Sequence, residues 1–227
     1  MLGGLAQILG TFALIAAFAY RNFAVATAYS KTETVQTVLF GVVILGEAVS
    51  AQSGVGILVS LVGVLLLSFR GQTIGGLLPA LVGPAALWGV GSGAGFAVAA
   101  VSYRAASLAL PDGEFLARSA TTLVWVLAFQ SLVMGAWLLW RERGELTRVL
   151  HEAPKAVWVG LTGMLASAGW FAAMTLQNAA YVRAVGQIEL LFTFAASVLL
   201  FRERTTATEL LAMGLVSGGI LVLVLAG

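Results

Sequence analysis

The chain is a succession of apolar runs, each about the length of a bilayer crossing, with only short polar breaks between them. A spanning helix needs about 20 such residues. On that measure the sequence predicts eight spans, at roughly 3–20, 23–46, 50–69, 77–103, 119–140, 156–176, 180–201 and 206–226. A soluble domain could not bury 227 residues that are 60% hydrophobic and only 10% charged, because charged residues ordinarily make up about a quarter of a globular chain. The expected fold class is therefore all-α integral membrane. Lipid satisfies no backbone hydrogen bond, and a barrel would alternate in polarity along every strand. With no cysteine, the chain has no disulfide framework and no thiolate metal site. A net charge of +2, scattered along the sequence, argues against nucleic acid as a partner.

Two of the apolar stretches are versions of each other, and each carries a glutamate inside a predicted span. Lys31-Thr32-Glu33 leads into Val38-Leu39-Phe40 and Gly46-Glu47, while Gln187-Ile188-Glu189 leads into Leu190-Leu191-Phe192 and Arg202-Glu203. A single offset of 156 positions maps Asn22 on Asn178, Glu33 on Glu189, Thr37 on Thr193, Glu47 on Glu203 and Gly63 on Gly219. Spans one to three match spans six to eight, and nothing precedes span one to match spans four and five. The expected arrangement is three helices in residues 1–70 and five in residues 77–227, a 3 + 5 pattern within one membrane domain. The offset covers five spans, an odd number, so the two copies run through the membrane in opposite directions. Inverted repeats of this kind place a substrate site between the halves near the midplane.

The run ending Gly46-Glu47, followed by Gly56 and Gly63-Val64-Leu65-Leu66-Leu67, resembles the end of an EamA repeat, with a second copy in Arg202-Glu203-Arg204, Gly214 and Gly218-Gly219-Ile220-Leu221. Ala179-Ala180-Tyr181-Val182-Arg183-Ala184 and the Gly-rich fourth span ending Ser102-Tyr103-Arg104 are also similar. The chain thus resembles EamA-type members of the drug/metabolite transporter superfamily along essentially its whole length. That resemblance implies two five-helix repeats, here without the first two of ten helices. It also implies a multi-pass protein of the inner membrane that exports a small metabolite, amino acid or drug by alternating access, without a cofactor and without catalysis. Glu33 and Glu189 depart from the family, where many members have proline or an apolar residue. The positive-inside rule and the resemblance give opposite orientations, and orientation stays open.

Glu33 and Glu189 are the leading candidates for solute or ion binding. A charge at the middle of a spanning helix costs about 2.5–3.5 kcal/mol on insertion scales, so it is retained where it faces protein or water. Thr37 and Thr193 lie four residues after the glutamates and Tyr29 four before Glu33, at helical spacing. The functional reading makes the glutamates coupling or substrate-binding acids; the alternative makes them polar contacts between helices. Lys31 and Gln187 stand two residues earlier, off the glutamates' helix face. Snorkelling to the interface is the favoured reading of Lys31, with pairing across helices or to an anionic solute as the alternative. Asn22 and Asn178 suit helix N-caps, and Arg21 and Arg183 suit interfacial anchors. Glu47 and Glu203 read as structural, each a turn carboxylate facing the start of the next helix. Gly89, Gly91, Gly93 and Gly95 form two overlapping small-residue faces for helix packing. The tryptophans suit aromatic belts, with Trp125 and Trp170 as alternative ligand-stacking rings. His151, in a basic loop, does not suggest a metal site.

The expected partners are a small-molecule solute and the lipid bilayer, and a homodimer is left open. Two other readings compete with transport. One is an incomplete membrane protein that moves nothing by itself. The other is a multi-pass enzyme acting on a lipid-linked substrate, for which the sequence offers no surface cluster beyond Arg141–Lys155.

Overall fold

The computed structural model describes residues 1–20, 23–68, 83–111, 113–142, 144–201 and 206–226, without the side chains of Phe23, Ala24, Lys155, Thr193, Ser197, Leu200 and Phe201. The roles expected for Arg21, Asn22 and Glu203, and the beginning of the predicted 77–103 span, fall outside those residues. The described residues form helices and no strand: α1 (Leu2–Phe18), α2 (Phe23–Ser30), α3 (Glu33–Leu45), α4 (Ala51–Ser68), α5 (Pro84–Leu108), α6 (Phe115–Arg141), α7 (Glu145–His151), α8 (Ala153–Leu176), α9 (Ala179–Gly186), α10 (Glu189–Phe201) and α11 (Ala207–Ala226). Five described helices are long and apolar enough to cross a membrane, namely α4, α5, α6, α11 and the Ala156–Leu176 part of α8. The protein is an all-α, multi-pass membrane protein.

Two of the expected spans are not single helices. The 23–46 stretch breaks at Lys31-Thr32 into α2 and α3, and the 180–201 stretch breaks at Gln187-Ile188 into α9 and α10. A break in a helix frees backbone groups that must find partners. Here tight turns supply them: Thr32 N–H bonds the Tyr29 carbonyl at 3.2 Å, and Ile188 N–H bonds that of Val185 at 3.0 Å. The Thr32 hydroxyl donates a second bond to the Tyr29 carbonyl at 2.6 Å. The two broken pairs have the same bounds at the 156-residue offset, and α4 and α11 also begin at matched alanines. Hydropathy dips at both breaks, at Lys31-Thr32-Glu33 and at Gln187 and Glu189, but the apolar runs on either side together have the length of one crossing, which is why the sequence pattern suggested continuous spans.

Close helix contacts rest on glycine. In α4 and α11, a Cβ on Gly56 would lie 2.7 Å from the Gly219 carbonyl oxygen, and one on Gly63 would lie 2.7 Å from that of Ala212. Ala212 and Gly219 are the offset mates of Gly56 and Gly63, so the contact is reciprocal. Helices α1 and α5 meet as closely, a Cβ on Gly95 falling 2.6 Å from Gly10 Cα. Gly89 and Gly93 lay α5 along the α2–α3 break: a Cβ on Gly89 would meet Tyr29 at 2.7 Å, and one on Gly93 the Ser30 carbonyl at 3.1 Å. Without a hydrophobic drive between helices in lipid, this backbone approach is what association depends on.

The polar stretch 141–155 holds the short helix α7, set off from α6 by Gly144 at φ 105°. Trp125, Trp137, Trp140 and Trp158 are exposed on the outer faces of α6 and α8, so Trp125 is not in position to stack in the interior.

Candidate functional site

The two breaks face each other, and four charged side chains meet there. Lys31, in the first break, forms an ion pair with Glu189, which opens α10. Glu33, which opens α3, pairs with Arg183 of α9 at 3.1 Å. Each glutamate is therefore paired with a base from the other broken helix. Lys31 thus pairs across helices, the alternative to snorkelling, and Arg183 has a carboxylate partner on α3. The Arg183–Glu33 pair is the more withdrawn of the two, where a carboxylate left alone would have no other way to recover its lost hydration, whereas Glu189 is 55% exposed. The Arg183 guanidinium also lies over the Trp170 ring, 5.0 Å from its centroid, at cation–π distance.

Gln187 stands beside this cluster, buried. Its amide donates to the Thr34 hydroxyl at 2.7 Å, and its carbonyl oxygen accepts from Ser60 of α4. One side chain thus ties the second break to α3 and α4. Lys31, Glu33, Thr34, Arg183, Gln187 and Glu189 line a polar cavity of about 70 Å³. Trp170 and Gly186 line it too, and they also border a far larger apolar groove of about 600 Å³ between α8, α9 and α11. A Cβ on Gly186 would fall 2.1 Å from the Trp170 indole, so the absent side chain is what lets the ring lie between cavity and groove.

Lys31, Glu33, Gln187 and Glu189 are brought together. Thr37 is buried, and its hydroxyl donates to the Glu33 carbonyl at 2.7 Å rather than to a carboxylate. Tyr29 packs through Cβ against Gly89. The Thr193 side chain is outside the described set. The sequence reading missed Arg183 and Thr34 as site residues, and it took Trp170 for an aromatic-belt residue or, alternatively, a ligand-stacking ring. Asn178 caps α9, its side-chain oxygen accepting from the Ala180 N–H at 2.8 Å.

A second ionic group closes one end of the helix assembly. Arg104 Nε donates to both Glu47 oxygens, at 2.8 and 2.9 Å. Its Nη1 donates to the Met174 and Gln177 carbonyls at 2.8 and 2.7 Å. Gly46, at φ 68°, ends α3 in the left-handed conformation and turns Glu47 toward this partner. The carboxylate therefore serves Arg104, not the start of α4 as its position in the sequence suggested. Arg104 in turn holds the last carbonyls of α8, which have no helical donor of their own. Among the described residues no cluster of side chains suited to a metal ion is present.

No family model matches the chain, and no curated protein matches it. Among the solved structures similar to it in fold is one with a TM-score of 0.70 over 99% of this chain and 75% of its own, at 18% sequence identity.

Proposed function

We propose that the protein is a secondary-type transporter of the drug/metabolite kind, with an EamA-like arrangement. It moves a small charged metabolite, amino acid or drug out across the inner membrane by alternating access between two inverted halves. In this reading α1, the α2–α3 pair, α4, α5, α6, α8, the α9–α10 pair and α11 make eight crossings. The matched bounds of the broken pairs and the reciprocal Gly56–Gly219 and Gly63–Ala212 contacts support a pseudo-two-fold axis between the halves, since such an axis makes residue i touch j′ and j touch i′.

The observation that carries transport is the crossed ion pairing of Lys31 with Glu189 and Arg183 with Glu33 at the two breaks. Broken helices with charged groups at their meeting point are how carriers hold a solute at the midplane. Charges that neutralise one another across the halves can be exchanged for those of a solute without stranding any of them. The glutamates then act as solute- or proton-coupling acids.

The test is counterflow in proteoliposomes with three labelled probes: L-leucine as a zwitterion, tetraphenylphosphonium as a cation and benzoate as an anion. At least one should exchange above protein-free vesicles, and Glu33→Gln and Glu189→Gln should each abolish that exchange or its pH dependence. Exchange of all three at the vesicle background would refute transport; exchange unchanged in both variants would remove the glutamates from it.

A further inference from the structure

We infer that the solute of this site is an amphipathic monocarboxylate, its carboxylate held by Arg183 and its apolar body in the groove beyond Trp170, and that it binds together with one proton taken by Glu33. The inference rests on the carrier reading above and deepens it by naming the solute's chemistry and charge balance.

Arg183 carries the assignment of the head group. Its Nη1 pairs with Glu33 at 3.1 Å, but its Nε is buried and has no acceptor among the described residues. A buried N–H without a partner is rare and calls for an explanation. A guanidinium accepts no hydrogen bond, and its N–H groups form a planar fork that matches the two oxygens of a carboxylate. Trp170 covers one face of this guanidinium, 5.0 Å from the ring centroid, which leaves the N–H edge as the place for an anion. Lys31 is the poorer candidate, because Glu189 already engages it in the more exposed of the two pairs.

The polar cavity that Arg183 lines, about 70 Å³, holds a head group and no more. Trp170 and Gly186 join it to the groove of about 600 Å³, a size that suits a small-molecule ligand. Among the described residues no charged side chain lines that groove. A ligand that fills both spaces is therefore charged at one end only.

The proton follows from the charge count. Lys31 and Arg183 balance Glu33 and Glu189. Thr34 of α3, Ser60 of α4, Trp170 of α8 and Gln187 add no charge, and Tyr103 of α5 is the other titratable group near Arg183. An added carboxylate alone would leave one unbalanced negative charge among apolar helices, which is costly. Glu33 is the acid that takes the proton, because it is the carboxylate Arg183 must release and is 15% exposed against 55% for Glu189. The exchange balances: a carboxylate and a proton enter, Arg183 passes from Glu33 to the solute, and the net charge is unchanged.

The full chain in phosphatidylcholine nanodiscs is tested for binding of radiolabelled hexanoate, with acetate, hexanamide and hexylamine as competitors. Hexanoate should bind about tenfold more tightly than each of the three, and more tightly as pH is lowered through the range in which it stays ionised. Glu33→Gln fixes the neutral form, so it should bind hexanoate at least as tightly as the unaltered chain and without that pH dependence. Hexanoate should also raise the unfolding midpoint of Glu33→Gln more than that of the unaltered chain, since it supplies the carboxylate that Arg183 has lost. Arg183→Lys keeps the charge but lacks Nε, and it should lose about tenfold in affinity. Equal binding of hexanamide would mark a seat for any apolar body, lipid chains included, and would overturn the inference. Preference for hexylamine, or loss of hexanoate binding in Glu33→Gln, would do the same. Binding requires no transport, so the two readings fail separately. Exchange of leucine or tetraphenylphosphonium without hexanoate binding would overturn this inference and leave the carrier. The predicted hexanoate binding without exchange of any probe would refute the carrier and leave the carboxylate site standing.

Discussion

Glu33 and Arg183 are each largely withdrawn from solvent, with side chains 15% and 21% exposed. Removing one member of such a pair strands the other, at a cost of about 3–5 kcal/mol, whereas removing both often costs far less. Glu33→Gln and Arg183→Gln should therefore each lower the thermal unfolding midpoint in detergent, and the double variant should recover part of the loss. A coupling of about 1–3 kcal/mol is expected for groups in direct contact; strictly additive losses would mean the pair is not formed in the membrane. The same scale shows what sequence reasoning could reach. Lys31, Glu33, Gln187 and Glu189 stood out because repetition marks them twice. Arg183 and Trp170 correspond by offset to Thr27 and Leu14, so no echo announced them. Their role follows from where α8 and α9 bring them. Glu47 was visible as a repeated position, but its partner Arg104, 57 positions away, was not.

At the scale of elements, small residues set the distances. Gly56 and Gly219 leave no room between α4 and α11, so Gly56→Ala or Gly219→Ala must push backbone apart rather than bend a side chain. Each should destabilise by about 1–3 kcal/mol, the usual cost of overpacking a tight contact, whereas Gly54→Ala, facing open space in the same helix, should be near neutral. Equal effects at Gly54 and Gly56, read from unfolding midpoints, would contradict the contact. The glycines were legible as packing faces because their four-residue spacing is a helix property. Which partner each face meets was not legible: Gly89 and Gly93 meet the α2–α3 break, Gly95 meets α1, and Gly91 meets nothing within 4 Å. The breaks are marked in the sequence by Lys31-Thr32-Glu33 and Gln187-Ile188-Glu189, whose polar residues read as sites within continuous spans rather than as interruptions. They depend on Thr32 and on turn hydrogen bonds that a window average cannot register.

For the whole molecule, composition alone was enough to indicate helices in a bilayer, because no other fold tolerates so few charges over this length. The arrangement around the polar cavity required the structure. In it the two broken pairs meet at their charged turns, and the Arg104–Glu47 group gathers the ends of α3, α5 and α8. If the protein is the proposed carrier, its cavity should open to each side of the membrane in turn, with the crossed ion pairs exchanged between the two states. Thr34, buried and on the cavity wall, is the position that reports on it. Thr34→Cys in the otherwise cysteine-free chain, reconstituted in one orientation, should react with a membrane-impermeant maleimide added to either side, while Ala17→Cys, fully buried in α1, should react from neither. Labelling of Thr34→Cys from one side only, or from neither, would contradict alternating access.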